Sequence, residues 1–159
     1  KLRHPHLVLL MGWAQNGDKR FLVYERLSMD LQQRMANSSI PYPWKDRLKN
    51  LFECAQALAH LHKSKPKIFH RDIKTPNILL DSAGRAKLAD FGLACATSEH
   101  SIQHVITKGT PGYADPQYQQ THYYGEHTEM YAFGMVLLEI LIARPPARVA
   151  PRPRAPPIL

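Results

Sequence analysis

The run His70-Arg71-Asp72-Ile73-Lys74-Thr75-Pro76-Asn77, followed by Asp90-Phe91-Gly92, constrains this chain more tightly than any other feature. Between the two motifs lie Ile78-Leu79-Leu80 and Ala86-Lys87-Leu88, short apolar runs that read as strands, with Ser82-Ala83-Gly84 to turn the chain between them. A small hairpin therefore carries Asn77 on one arm and Asp90 beyond the other, and Asp72, Asn77 and Asp90 fall on two joined loops. A single Asp or Asn in a loop is usually a turn residue whose side chain bonds to nearby backbone. The joint spacing reverses that expectation. Two hard oxygen donors from different loops leave places for phosphate oxygens and waters around magnesium, and a carboxylate beside them can orient an attacking hydroxyl. The residue types suit transfer of a terminal phosphate.

The rest of the chain alternates strand-like and helix-like patterns. Leu7 to Trp13 and Arg20 to Arg26 are apolar runs separated by the turn-forming Gln15-Asn16-Gly17-Asp18, and predict an antiparallel hairpin. From Trp44 the positions Leu48, Leu51, Phe52, Ala55, Leu58, Ala59 and His62 recur in steps of three and four, which predicts a long amphipathic helix starting after Pro43. Met130 to Ala143 is the most apolar stretch, and its length with Glu139 inside it predicts a buried helix rather than a membrane span. The Thr-, Ser-, His- and Gly-rich stretch from Ala94 to about Tyr113 is too long for a mere connector, which marks it as functional or mobile. After Arg144, repeated prolines forbid regular helix, so residues 147–159 are expected to form an extended or disordered proline/arginine-rich tail.

Bulk properties narrow the partners. With 159 residues, 44% of them hydrophobic, the chain can bury one core. A net charge of +8 would suit nucleic acid, but the basic residues are scattered from Lys1 to Arg154 and the aromatics do not interleave with them as a stacking platform. No nucleic-acid partner is expected. Cys54 and Cys95 make neither a metal spacing nor a disulfide framework, which favours a reducing, cytoplasmic setting. The nine histidines include no zinc-binding helical pair. The chain begins at Lys1 without a leader or an apolar stretch of spanning length, so a soluble piece of something longer is expected.

Taken in order, these motifs resemble those of eukaryotic protein kinases, from about Leu2 to Pro146. The resemblance implies an α+β, protein-kinase-like fold over residues 1–146, mainly the helical C-lobe with the hinge-side hairpin of the N-lobe. Lys74, two positions after Asp72, is similar to the lysine of serine/threonine kinases. Trp44-Lys45-Asp46-Arg47-Leu48 and Gly109-Thr110-Pro111-Gly112-Tyr113 are similar to the receptor-like and tyrosine-kinase-like group. A protein serine or threonine hydroxyl is thus the implied acceptor, with ATP and Mg2+ as cofactors. In the catalytic set of Asp72, Lys74 and Asn77, the resemblance makes Asp72 the group that orients the hydroxyl, and sets Lys74 against the transferred phosphate. Asn77 and Asp90 would hold magnesium. Tyr24 would stand at the back of the adenine pocket, the Glu25 carbonyl and Leu27 N–H would read the adenine edge, and Leu79 would form the floor. Arg71 implies control by a phosphate on the long loop, with Thr107 the first candidate and Thr97, Ser98 and Ser101 as alternatives. Thr110 would hydrogen-bond Asp72, and His70 would pack beneath Phe91. The implied setting is the cytoplasm, or the cytoplasmic side of a membrane protein whose membrane part lies outside this chain.

The sequence also departs from the family pattern. The Gly-rich loop, the strand lysine and its partner glutamate are not among these residues, so this piece alone is expected to be inactive or barely active. The alternative is a truncated kinase-like protein acting as a binding module. Gln117 stands where the family has glutamate, and Glu129 where it has aspartate; both are expected to weaken the C-lobe's support. Apolar surface on the first hairpin and on the late helix is expected to invite association.

Overall fold

The computed structural model describes residues 2–37, 39–103 and 108–146. Its first element is the predicted hairpin, β1 (Leu10–Asn16) and β2 (Lys19–Tyr24), paired antiparallel with Trp13 opposite Leu22. Gly17 supplies the left-handed residue of the turn, at φ 57°. The first strand starts later than the apolar run suggests because Leu7 leaves the hairpin for the core. It is buried and bridges to Leu88, while Val8 donates to the Leu88 carbonyl and Leu88 donates to that of His6. Nearly every hairpin residue is exposed, including Met11, Trp13, Phe21, Leu22 and Val23.

The chain next forms β3 (Met29–Asp30) and α1 (Leu31–Ala36), a short helix not expected from periodicity. A capping box begins it: the Asp30 carboxylate accepts from the Gln33 N–H, and the Gln33 side chain accepts from the Asp30 N–H. The predicted long helix is α2 (Trp44–Lys63), entered from Pro43, with Asp46 in its first turn and His60, His62 and Lys63 in its last. It buries Leu51, Cys54, Ala57, Leu58 and Leu61. Leu48 and Phe52, which also fit the apolar repeat, lie instead on an exposed face with Trp44.

After β4 (Lys67–Phe69), the two arms of the motif-bearing hairpin are β5 (Ile78–Leu80) and β6 (Ala86–Leu88), which form a three-stranded sheet in the order β3-β5-β6. Alternation puts Ile78, Leu80, Ala86 and Leu88 into the core and leaves Leu79 and Lys87, cross-strand partners, half-buried on the other face. The long loop is not structureless. It contributes β7 (Cys95–Thr97), paired with β4, and β8 (Ser101–Gln103), paired with β9 (Tyr123–Gly125). Between them α3 (Pro116–Thr121) starts on an Asp115 cap.

The late apolar helix is α4 (Glu126–Ile142), which starts four residues before the apolar stretch. The expectation of a buried helix holds for one face only. Thr128, Glu129, Ala132, Val136, Glu139 and Ile140 are buried, whereas Met130, Leu138, Leu141 and Ile142 are exposed, with nothing among the described residues covering them. The main core joins α1, α2, β5, β6 and α4, and a smaller one gathers Phe69, Tyr118 and Tyr124. Cys54 is buried and Cys95 partly buried, both as free thiols, and burial pushes the Cys54 thiol up to about 12. No helix among the described residues is long and apolar enough to cross a membrane. The tail at 147–159 lies outside the described residues.

Candidate active site

The site is built on an unusual backbone. Arg71 is a non-glycine residue in the left-handed region, at φ 72°, and its N–H donates 2.8 Å to the Glu129 carboxylate, which is fully buried in α4. The same carboxylate accepts from the Tyr124 hydroxyl at 3.1 Å and lies 2.5 Å from His62 Nε2 on α2. Glu129, expected to weaken this region, is therefore an anchor that ties the loop carrying Asp72 to two helices and β9. Its side chain reaches the Arg71 amide and keeps both oxygens engaged. Gln117 is exposed, and its N–H caps onto Asp115.

Downstream of this bend, Asp72 is held on both oxygens. Thr110 donates to Oδ1 at 2.6 Å, while Lys74 Nζ and Asn77 Nδ2 donate to Oδ2 at 2.7 and 3.0 Å. Lys74 also donates to the Thr110 hydroxyl, and Asn77 to the Asp72 carbonyl, each at 2.8 Å. Burial alone would raise the Asp72 pKa. The bonds from Lys74 and Thr110, the Lys74 charge and the Asn77 bond outweigh it and hold the carboxyl below its usual range, ionised at neutral pH.

Asn77 closes a 3-10 turn over Thr75–Asn77 directly before β5. With its amide nitrogen spent on Asp72, its oxygen has no partner among the described residues. Asp90, two residues past β6, is exposed and also left-handed, at φ 62°, with one oxygen accepting from the Gly92 N–H at 3.1 Å. A Cβ on Gly92 would lie 3.0 Å from that oxygen, so the close turn favours glycine here. His70 is fully buried, its ring 5.0 Å from that of Phe91. Its Nε2–H donates to the Ala89 carbonyl at 2.8 Å, and Nδ1 accepts from the Asp72 N–H at 3.3 Å.

This histidine makes the fold sensitive to acid. Burial pulls His70 below the ordinary value of 6.5, against the charges of Glu129, Asp72 and Asp90. His4 is lowered too, by burial and by repulsion from His60 and His6, whose rings lie 4.8 and 5.5 Å away. Neutral when folded, both take up a proton more readily once unfolded. Their contribution is complete above the unfolded pKa near 6.5 and falls as pH drops below it, by up to about 1.4 kcal/mol per pH unit for the buried His70 and by less for the partly exposed His4. Thermal melts are expected to shift downward between about pH 7.5 and 5.5, and His70→Gln to flatten that dependence; an unchanged melting temperature across the range would contradict this assignment.

Other groups were not expected from the motifs. Glu139 on α4 accepts from the Tyr113 hydroxyl at 2.5 Å and from the Thr75 hydroxyl at 3.0 Å, all three residues buried. Burial raises the Glu139 pKa despite these bonds, and burial together with Glu139 raises that of Tyr113. The Arg71 side chain stacks over Tyr124 at 5.7 Å, and its buried Nε and Nη2 have no partner among the described residues. Thr107 lies outside the described residues.

At the other end of the site, Tyr24 ends β2, and the Glu25 carbonyl and Leu27 N–H are unbonded among the described residues. Leu79 faces out from β5. A cavity of about 490 Å3 joins only one of these groups, Tyr24. It lies against Tyr24, Phe91, Leu7, Leu10 and Cys95 and is lined by none of Glu25, Leu27, Leu79 or Asn77.

Comparison with known proteins agrees on one family. Residues 1–153 match the family described as "Protein kinase domain". An EPD1-interacting receptor-like cytoplasmic serine/threonine-protein kinase, 5D, of Gossypium barbadense is 44% identical over 149 residues, covering 91% of this chain and 32% of the relative. The LRR receptor-like serine/threonine-protein kinase IOS1 of Arabidopsis thaliana is 42% identical over 151 residues, covering 91% and 17%. The chain thus spans about a third or less of these relatives.

Proposed function

The chain belongs to the protein kinase family, and from that premise we propose that the protein it comes from transfers the γ-phosphate of ATP to a protein serine or threonine hydroxyl. The observation that carries this reading is the Asp72 carboxylate, ionised and fixed by Thr110, Lys74 and Asn77. A carboxylate so held can accept a hydrogen bond from an incoming hydroxyl and take its proton as the phosphorus–oxygen bond forms. Lys74 lies beside it, placed to offset negative charge on the moving phosphoryl group.

The donor set fits magnesium. Asn77 offers an amide oxygen and Asp90 a second carboxylate oxygen, both hard and both without a partner among the described residues. Bound there, the ion would neutralise phosphate charge. The open Glu25 carbonyl and Leu27 N–H suit the edge of adenine, with Leu79 beneath and Tyr24 behind. Arg71, whose two buried nitrogens have no partner among the described residues, suits a phosphorylated residue on the long loop, Thr107 first. We place the activity on the cytoplasmic side, in keeping with relatives described as receptor-like and as cytoplasmic.

Nucleotide titration of the full-length protein tests the reading. ATP is expected to bind more tightly with Mg2+ than without it, and Asp90→Ala to erase most of that gain, roughly ten- to a hundredfold. A wild-type protein that binds its protein partner but no Mg-ATP would instead be a docking module.

A further inference from the structure

The Glu25 side chain is held in a way that neither its suggested backbone role nor the catalytic groups require. Lys87 Nζ donates to both of its oxygens, at 2.7 and 2.8 Å, and the Leu9 N–H donates to one of them at 2.8 Å. The Glu25 N–H in turn donates to the Leu9 carbonyl at 3.0 Å. Both side chains of the pair are mostly shielded, at 15% exposure for Lys87 and 25% for Glu25, so solvent screens the pair only in part. Burial acts to raise the Glu25 pKa, but the bonds from Lys87 and Leu9 and the Lys87 charge hold it below the usual range.

The location of the pair matters more than its strength. Lys87 is the middle residue of β6, across from Leu79 on the same face of the hairpin. Three residues after Glu25, Ser28 donates through both its N–H and its hydroxyl to the Leu80 carbonyl on β5. The segment from Glu25 to Ser28 is therefore fastened at each end to one hairpin, with the Glu25 carbonyl and Leu27 N–H held open between the fastenings. The same hairpin has Asn77 immediately before it and Asp90 just beyond it. The distance between the adenine-reading backbone and the metal-holding residues is thus set through β5 and β6.

We propose that Lys87 is a positioning residue for the nucleotide: by clamping the Glu25 carboxylate to β6 it fixes the shape of the backbone that reads adenine. This rests on the nucleotide-site reading above. Lys87 touches no reacting group itself. Without its ammonium, Ser28 still anchors the far end, while the Glu25 end keeps only Leu9, which belongs to the exposed hairpin side.

The test uses the full-length protein, with adenosine and Mg-ADP as probes and Lys87→Met and Lys87→Arg as variants. Lys87→Met is expected to weaken adenosine and Mg-ADP by the same factor, about three- to tenfold, and to leave the Mg2+ concentration for half-maximal nucleotide tightening unchanged. Lys87→Arg, which keeps a two-pronged contact with a carboxylate, is expected to recover most of the loss. Unchanged adenosine affinity in Lys87→Met overturns the proposal. So does a loss accompanied by a shifted Mg2+ requirement and a lowered melting temperature, which is the pattern of a general structural role. A wild-type protein that binds neither probe overturns the nucleotide-site reading itself, and this inference with it.

Discussion

Asparagine in place of Asp72 in the full-length protein is expected to lower phosphoryl transfer by about 10²- to 10⁴-fold while leaving Mg-ADP affinity essentially unchanged. The hydrogen bonds explain why this substitution is clean. Turned so that its oxygen faces Lys74 and Asn77, an asparagine keeps both of those donors, and its NH2 can donate to the Thr110 hydroxyl, which reverses its own role. The loop keeps its shape, and what disappears is the negative charge and the capacity to take a proton. Steady-state turnover beside nucleotide titration separates the two effects. Turnover retained within a few-fold would show that Asp72 is not the group that handles the hydroxyl.

The second large effect concerns stability. Glu129→Ala is expected to destabilise the fold by about 3–5 kcal/mol, because it leaves the Arg71 N–H and the Tyr124 hydroxyl buried without an acceptor and removes the partner of His62. The Arg71 backbone adds to this, since a left-handed residue with a side chain persists only where its surroundings impose it. A fall in melting temperature on the order of 10 °C is expected. Glu129→Asp, which shortens the reach to Arg71 but keeps the charge, should cost less. A Glu129→Ala protein that melts with the wild type would show that the contacts around it are dispensable.

The two effects also mark the boundary of what sequence reading could reach. Asp72, Lys74, Asn77 and the hairpin leading to Asp90 were readable because their relations are local, and loop and turn chemistry acts over a few residues. The α2 helix was readable from its period. Its exposed face was not, since Leu48 and Phe52 satisfy the same period as Leu51 and Leu58, and burial depends on what packs there. Likewise Leu7 looked like the start of a strand, but its pairing with Leu88 depends on a residue far along the chain. Glu129 was visible as a departure from a pattern, yet its partners Arg71 and His62 lie 58 and 67 positions away. No periodicity links them. The short helices α1 and α3 are omissions with local signals, the Asp30 and Gln33 capping box and the Asp115 cap before Pro116. Thr107 lies outside the described residues and stays an expectation.

The Glu25–Lys87 clamp has a consequence for the order in which this chain is made. A ribosome delivers β1 and β2 early, but the ammonium that fixes the end of β2 arrives 62 residues later. The bridge of Leu7 to Leu88 also waits for β6. Until β6 emerges, the first hairpin is a two-stranded ribbon exposed on both faces, and such ribbons are marginal in water on their own. Segments made first usually fold first. Here the first hairpin is completed by a strand made well after it, so the backbone from Glu25 to Ser28 gains its final shape only after the loop carrying Asp72 has been synthesised.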